Sequence, residues 1–384
     1  MGPLTGIRIA AFEAIGPGPF AGMLLADMGA DVLLIDRPTR PADLGLMRER
    51  RHEVMFRGHR SVTLDLKDPR AMEAALSIVA RADALVEGYR PGVMERLGLG
   101  PEVCLERNPR LVYGRMTGWG QSGPLAPRAG HDINYIALAG ALHAFGRKGE
   151  APVPPLNYVG DFGGGGIFLA FGIVCGLLQA RISGRGQVVD AAMVDGTAAL
   201  GAMFYGLLAA GQWNETRGEN VLDGAAPYYG VYETRDGKHV SVGAIEGRFY
   251  AELLERLGLK GETLPEQNDR SQWPRMRERF AAAFRTRTRD EWCGTFEGSD
   301  ACFAPVLTYT EARRDPQAIA REAFVDIGGI PQPRPAPRFS ATPSGLPTPP
   351  PERGQRGREA LTDWGFRREE IERLSGLGLG FAAD

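Results

Sequence analysis

The chain of 384 residues is 43% hydrophobic and 24% charged, which excludes a wholly disordered or fibrous protein and leaves enough length for two or three domains. A net charge of −2 provides no global positive field to draw nucleic acid. Four cysteines lie far apart with no Cys-x-x-Cys pair, so neither a disulfide scaffold nor a zinc site is indicated, and a reducing cytoplasm is expected.

No basic leader opens the chain, and the apolar runs Ile167–Leu178 and Ala198–Ala210 are shorter than a bilayer span, so a soluble protein without a membrane partner is expected. Ile7–Phe12 reads as a buried strand, Gly16-Pro17-Gly18-Pro19 as a break, Phe20–Met28 as a helix and Asp31–Ile35 as a second strand. Ser61–Leu66, a helix over Arg70–Ala80, Ala84–Glu87 and Leu111–Met116 continue the alternation, which predicts a parallel α/β sheet covered on both faces. Val188–Val189 is a further short strand. From about residue 225 the texture changes: Val231–Glu233 and His239–Ala244 flank an Asp236-Gly237 turn, and helices follow over Phe249–Leu257 and Arg275–Thr286. The expected organisation is a large Rossmann-like doubly wound domain over 1–195, a linker over 196–224 and a small α+β domain over 225–330. Nine of the 28 prolines fall between Pro331 and Pro351, a stretch that reaches roughly 65 Å at about 3.1 Å per residue and predicts an extended return linker over 331–355. A C-terminal helix over Leu361–Leu374 within 356–384 then packs back on the large domain.

Gly16-x-Gly18-x-x-x-Gly22 followed by Asp36 imitates a dinucleotide fingerprint, but Pro17 and Pro19 have no N–H to offer a pyrophosphate. Arg37, at a strand's carboxyl end, is either a phosphate ligand or a surface charge. His131 lies in Gly130-His131-Asp132-Ile133-Asn134-Tyr135, just ahead of an apolar helix over Ile136–Leu142. There it either caps the helix or works beside N–H groups suited to an oxyanion. Asp161 lies in Val159-Gly160-Asp161-Phe162 and precedes four glycines, while Glu246 follows a strand; a helix-start acid is the plain alternative for both.

The chain resembles the α-methylacyl-CoA racemases within the family III CoA-transferase group over nearly its whole length. The resemblance rests, in order, on Gly16–Phe20 with Asp36-Arg37-Pro38, Leu64-Asp65-Leu66-Lys67, Thr117–Gly123, Gly130–Tyr135, Asp161-Phe162-Gly163-Gly164, Gly186–Gly196, Leu222–Tyr228 and Gly243–Glu246. It implies an interlocked homodimer that inverts C2 of a 2-methylacyl-CoA thioester through an enolate, with no cofactor beyond the CoA of the substrate and no metal. By the same likeness His131, Asp161 and Glu246 are catalytic. Arg37, Leu64, Asp65, Leu66, Lys67, Arg96, Gly130, Asp132, Ile133, Asn134 and Tyr135 bind the acyl-CoA. Two other readings stand beside it: a family III transferase with Asp161 as nucleophile, and a non-catalytic acyl-CoA-binding protein.

Overall fold

The computed structural model describes residues 2–39 and 49–382, which divide into two compact units. The first holds residues up to 139, 155–201 and 320 onward; the second holds 140–154 and 202–319.

Six parallel strands form the sheet of the first unit: β1 (Arg8–Phe12), β2 (Asp31–Asp36), β3 (His59–Thr63), β4 (Ala84–Glu87), β5 (Val112–Thr117) and β6 (Gln187–Ala192). Their order is β3-β2-β1-β4-β5-β6, so the chain reverses its direction of growth between β1 and β4. A ligand crevice opens at such a switch point, beyond the carboxyl ends of the strands. Ile9 is paired with Val32 on one side and Ala84 on the other. Continuous apolar sequence is what a strand buried on both faces requires, and the alternation along β1 sorts it. Ala10 and Phe12 join one core with Leu33, Ile35 and Leu85; Ile9 and Ala11 join the opposite core with Val32, Leu34 and Val112.

The helix after β1 starts at Pro17, three residues before the sequence suggests, because proline is tolerated in a first turn whose N–H groups have no helical partner. Gly16 precedes it at φ +64°, a left-handed conformation that glycine adopts without strain. Tyr158–Gly166 is a π-helical stretch that runs directly into the α-helix Ile167–Ser183. Together, by length and composition, they are long and apolar enough to cross a bilayer, so the apolar run is longer than Ile167–Leu178 implies. Leu169, Ile173, Leu177 and Ala180 of this helix nevertheless pack on the parallel sheet.

Three further expectations are revised. Much of the segment 196–224 is helical, in Met193–Leu200 and Ala202–Ala209, rather than linker. Pro331 and Pro333 sit in a hairpin of β10 (Phe324–Ile327) and β11 (Ile330–Pro333), which belongs to the first unit; Gln332 is buried there under the Arg57 guanidinium, 2.9 Å away. The expected C-terminal helix is two helices, Gly357–Asp363 and Arg368–Gly376, separated where Gly365 takes φ +83°. Trp364, Ile371 and Leu374 bury themselves in the core of the first unit. The glycine-rich tail then pairs antiparallel with edge strand β3, Gly380 and Thr63 exchanging main-chain hydrogen bonds of 2.8 and 2.9 Å. Covering an open edge in this way removes a template for unwanted pairing.

The second unit carries an antiparallel sheet in the order β7 (Tyr229–Glu233), β8 (His239–Gly243) and β9 (Phe303–Pro305), with the expected Asp-Gly hairpin between β7 and β8. Its core is aromatic: Tyr228, Tyr232, Tyr250, Trp273, Phe280, Phe284, Trp292 and Phe296 all lie in it.

Candidate active site

Several of the predicted residues of the first unit follow the carboxyl ends of its strands. Arg37 directly follows β2, and its side chain is exposed. Its N–H donates to Glu13 Oε2 at 2.9 Å, from the end of β1, and its guanidinium bonds the Tyr89 hydroxyl, from the loop after β4. Leu64 follows β3 and is fully buried, and its N–H bonds the Asp36 carbonyl at 2.8 Å. Asp65 and Lys67 are exposed in the turn beyond, where the Asp65 carboxylate accepts the Lys67 N–H at 3.0 Å. Leu66 is half-buried against the core, and Arg96 is exposed at the end of the short helix Val93–Arg96.

His131 is the N-cap of a helix that spans Asp132–Leu138, four residues ahead of the expected start. Asn134 sets this entry by accepting the His131 N–H at 3.0 Å. The imidazole and the side chains of Ile133 and Asn134 are exposed, while Asp132, Tyr135 and Ile136 are buried. Tyr135 packs edge-on against Trp119 and donates its hydroxyl proton to the Gly130 carbonyl, closing the turn below His131. Gly130 has no room for a side chain: a Cβ would stand 2.7 Å from the Tyr135 ring.

Asp132 ties the two catalytic candidates of this unit together. Its Oδ1 accepts the Asp161 N–H at 2.6 Å, and the Gly160 N–H also bonds this carboxylate. Asp161 therefore rides on the segment that the residue after His131 anchors. Its carboxylate lies over Gly16, where a Cβ would come within 3.0 Å of Oδ2, and Asn157 Nδ2 donates to Oδ2 at 3.2 Å. The glycines after Asp161 explain the close fit of its π-helical turn: at Gly164 a Cβ would meet the Thr197 main-chain nitrogen at 2.6 Å. Burial pushes the Asp161 carboxyl above its ordinary value; the Asn157 amide pulls it down, the Asp132 charge adds to the rise, and the charge of His131 counters it. Burial likewise pushes the Tyr135 phenol up to about 12, with the Asp161 charge adding and Arg90 opposing.

Glu246 belongs to the second unit. It follows β8 as the exposed N-cap of the helix Gly247–Arg256, and its carbonyl accepts the Tyr250 N–H at 2.9 Å. An open cleft of about 990 Å³ in the same unit is lined by His143, Trp213, Arg217 and Arg270 and holds none of the candidate residues.

Sequence reading missed three contributors: Glu13, Tyr89 and Arg90. Glu13 and Tyr89 touch Arg37, and the Arg90 charge reaches Tyr135. The available signal was positional, since residues that follow β1 and β4 flank the switch point.

The pattern of CoA-transferase family III matches residues 4–357, and the chain belongs to that family. Within it, the chain is 46% identical over 374 residues to alpha-methylacyl-CoA racemase of Mus musculus, covering 97% of this chain and 96% of that protein. Identity to alpha-methylacyl-CoA racemase of Homo sapiens is 43% over 379 residues, again covering 97% and 96%. A crystal structure of a CAIB/BAIF family protein from Brucella suis superposes with a TM-score of 0.80 at 25% identity, covering 94% of this chain and 99% of that one.

Proposed function

We propose that the protein is an isomerase that interconverts (R)- and (S)-2-methylacyl-CoA by 1,1-proton transfer, in branched-chain fatty-acid metabolism. The observation that supports this reading is the Asp132 link: its carboxylate holds the Asp161 main-chain N–H, which ties the segment carrying Asp161 to the residue next to His131. Inversion at an α-carbon needs a base on one face and a proton donor on the other, and these two groups supply both. His131 takes or gives the proton on one face and Asp161 on the opposite face. The roles exchange with the enantiomer. The raised Asp161 carboxyl suits this work, because a more basic carboxylate accepts a carbon-bound proton with a better driving force. The main-chain N–H groups of Asp132 and Ile133, ahead of the Asn134 N–H that already donates to the His131 carbonyl, are assigned to the enolate oxygen; one such donor is worth ~3 kcal/mol, roughly a hundredfold in rate.

Glu246 is assigned to orienting His131. Arg37 and Lys67 grip the CoA phosphates, with Leu64, Asp65 and Leu66 along the turn between, and Arg96 completes the charged surface. Gly130, Ile133, Asn134 and Tyr135 carry the thioester end. The reaction draws on no cofactor other than the CoA of its substrate and takes place in the cytoplasm.

A homodimer is part of the proposal. Ile167, Phe171, Val174, Leu178 and Ile182 form an exposed apolar stripe along the outer side of Ile167–Ser183, at 51%, 66%, 41%, 61% and 74% exposure. A contiguous stripe of this kind calls for a cover, and a second copy of the chain supplies one.

Incubating each pure enantiomer of a 2-methylacyl-CoA tests the reaction, and both should converge on one mixture. Passage of CoA to an added carboxylic acid without interconversion, with Asp161 trapped as a hydroxylamine adduct, assigns the transferase reading instead.

A further inference from the structure

The carboxyl ends of β1 and β2 place two buried acids side by side, Glu13 and Asp36, at 5% and 0% exposure. Neighbouring carboxylates in a dry environment require cations, and here the cations come from elsewhere in the chain. Arg50 takes one side of Asp36, at 3.1 and 2.9 Å to its two oxygens. Arg353, from the extended return ahead of the C-terminal helices, takes the other side. Its Nη2 donates to Glu13 Oε1 at 2.6 Å, and its Nη1 lies 3.1 Å from Glu13 Oε2 and 3.3 Å from Asp36 Oδ1.

The same Nη1 also donates to the Arg37 carbonyl at 2.7 Å. Arg37 is thus gripped at both ends of its main chain, because its N–H is held by the Glu13 carboxylate that Arg353 also engages. Three groups close a ring: Arg37 N–H to Glu13, Glu13 to Arg353, Arg353 to the Arg37 carbonyl. The return segment is itself fastened here. Gly354 N–H donates to Ser61 Oγ at 2.9 Å, Ser61 N–H donates to the Gln355 carbonyl at 2.9 Å, and Arg50 Nε donates to the Pro351 carbonyl at 2.9 Å. Neutralising two buried acids needs a positive charge. Gripping a carbonyl at the same time needs the guanidinium fork, which a lysine ammonium does not reproduce.

We propose that Arg353 is a positioning residue for acyl-CoA binding: through the Glu13 ring it fixes the backbone of Arg37 and so aims that guanidinium at the nucleotide phosphates. The inference rests on the reading of Arg37 as a phosphate ligand. It makes the C-terminal return part of the CoA-binding apparatus, although Arg353 itself touches no substrate.

The test compares Arg353→Lys, Arg37→Ala and the double variant, using a full 2-methylacyl-CoA and the corresponding N-acetylcysteamine thioester, which lacks the nucleotide. Arg353→Lys should raise KM for the full substrate roughly tenfold, change kcat by less than about twofold, and leave KM for the truncated thioester alone. The double variant should bind the full substrate no worse than Arg37→Ala, because both substitutions disable one contact. Glu13→Gln, which retains an acceptor for the Arg37 N–H but removes the charge that anchors Arg353, is the second probe and should show the same selective rise in KM. If Arg37→Ala is selective for the full substrate while Arg353→Lys and Glu13→Gln are not, or if the Arg353→Lys and Arg37→Ala effects simply add, the positioning role is wrong. If Arg37→Ala itself weakens both substrates equally, the phosphate assignment fails, and the positioning role fails with it.

Discussion

At the scale of single residues, the proposed inversion needs two proton-transfer groups, His131 and Asp161, whose segments Asp132 ties together. His131→Ala and Asp161→Ala should each abolish interconversion of enantiomers, while either variant retains C2 proton exchange with the one enantiomer that its surviving group faces; chiral chromatography and NMR separate the two outcomes. Asp132→Asn probes the electrostatics more finely. An asparagine oxygen still accepts the Gly160 and Asp161 N–H groups, but the charge that adds to the rise of the Asp161 carboxyl is gone. The Asp161 pKa should therefore fall, and since Asp161 must be ionised to act as a base, the acid limb of the kcat/KM profile should move to lower pH. An unmoved or raised limb contradicts the Asp132–Asp161 coupling. In the sequence His131 and Asp161 stand out as glycine-flanked polar residues near helix starts, and only the family resemblance gives them a catalytic role. The tie between their segments is not legible there, because Asp132 and Asp161 are 29 residues apart and meet only through the packing of the π-helical turn.

Among elements, the end of β4 shows what the switch point costs. Glu87 is fully buried, bonded to Arg115 Nε at 3.1 Å and to the Tyr89 N–H at 2.7 Å. Burial still pushes its carboxyl up to about 7, against the Tyr89 and Arg115 contacts that lower it. An acid whose folded pKa lies above its unfolded value holds its proton longer when folded. Stability from this group accordingly declines as pH rises from about 4.5 to about 7 and is level on either side. In urea unfolding, the stability of Glu87→Gln relative to wild type should climb across that window by up to an order of ~3 kcal/mol and then stop. A difference that stays flat or falls through the window contradicts it. Strand periodicity was readable because continuous apolar runs bounded by glycine admit few alternatives. Element ends were less so: Pro17 reads as a breaker yet opens a helix, and Pro331 and Pro333 read as extended linker yet lie in a hairpin. In each case the local preference of proline was right, and its tertiary neighbours decided which permitted structure it joined.

For the whole molecule, the proposed homodimer makes a prediction about where Glu246 acts. If each site combines His131 and Asp161 of one chain with Glu246 of the other, refolding His131→Ala together with Glu246→Gln gives heterodimers with one intact site. Activity should then rise to about a quarter of wild type under statistical mixing, provided Glu246→Gln alone is clearly impaired. No recovery after verified heterodimer formation places Glu246 outside such a mixed site. Composition alone indicated a folded, weakly acidic protein of more than one domain; the exposed stripe on Ile167–Ser183 was hidden in it, because an apolar run does not reveal which of its sides the sheet will cover. The claim that joins residues, elements and chain is that chemistry occurs at the substrate's C2–H bond. Proton NMR of enantiopure 2-methylacyl-CoA in deuterated water measures that bond directly. The C2 proton signal of either enantiomer should disappear as deuterium enters, in step with inversion. CoA turnover with the C2 proton fully retained would contradict the account.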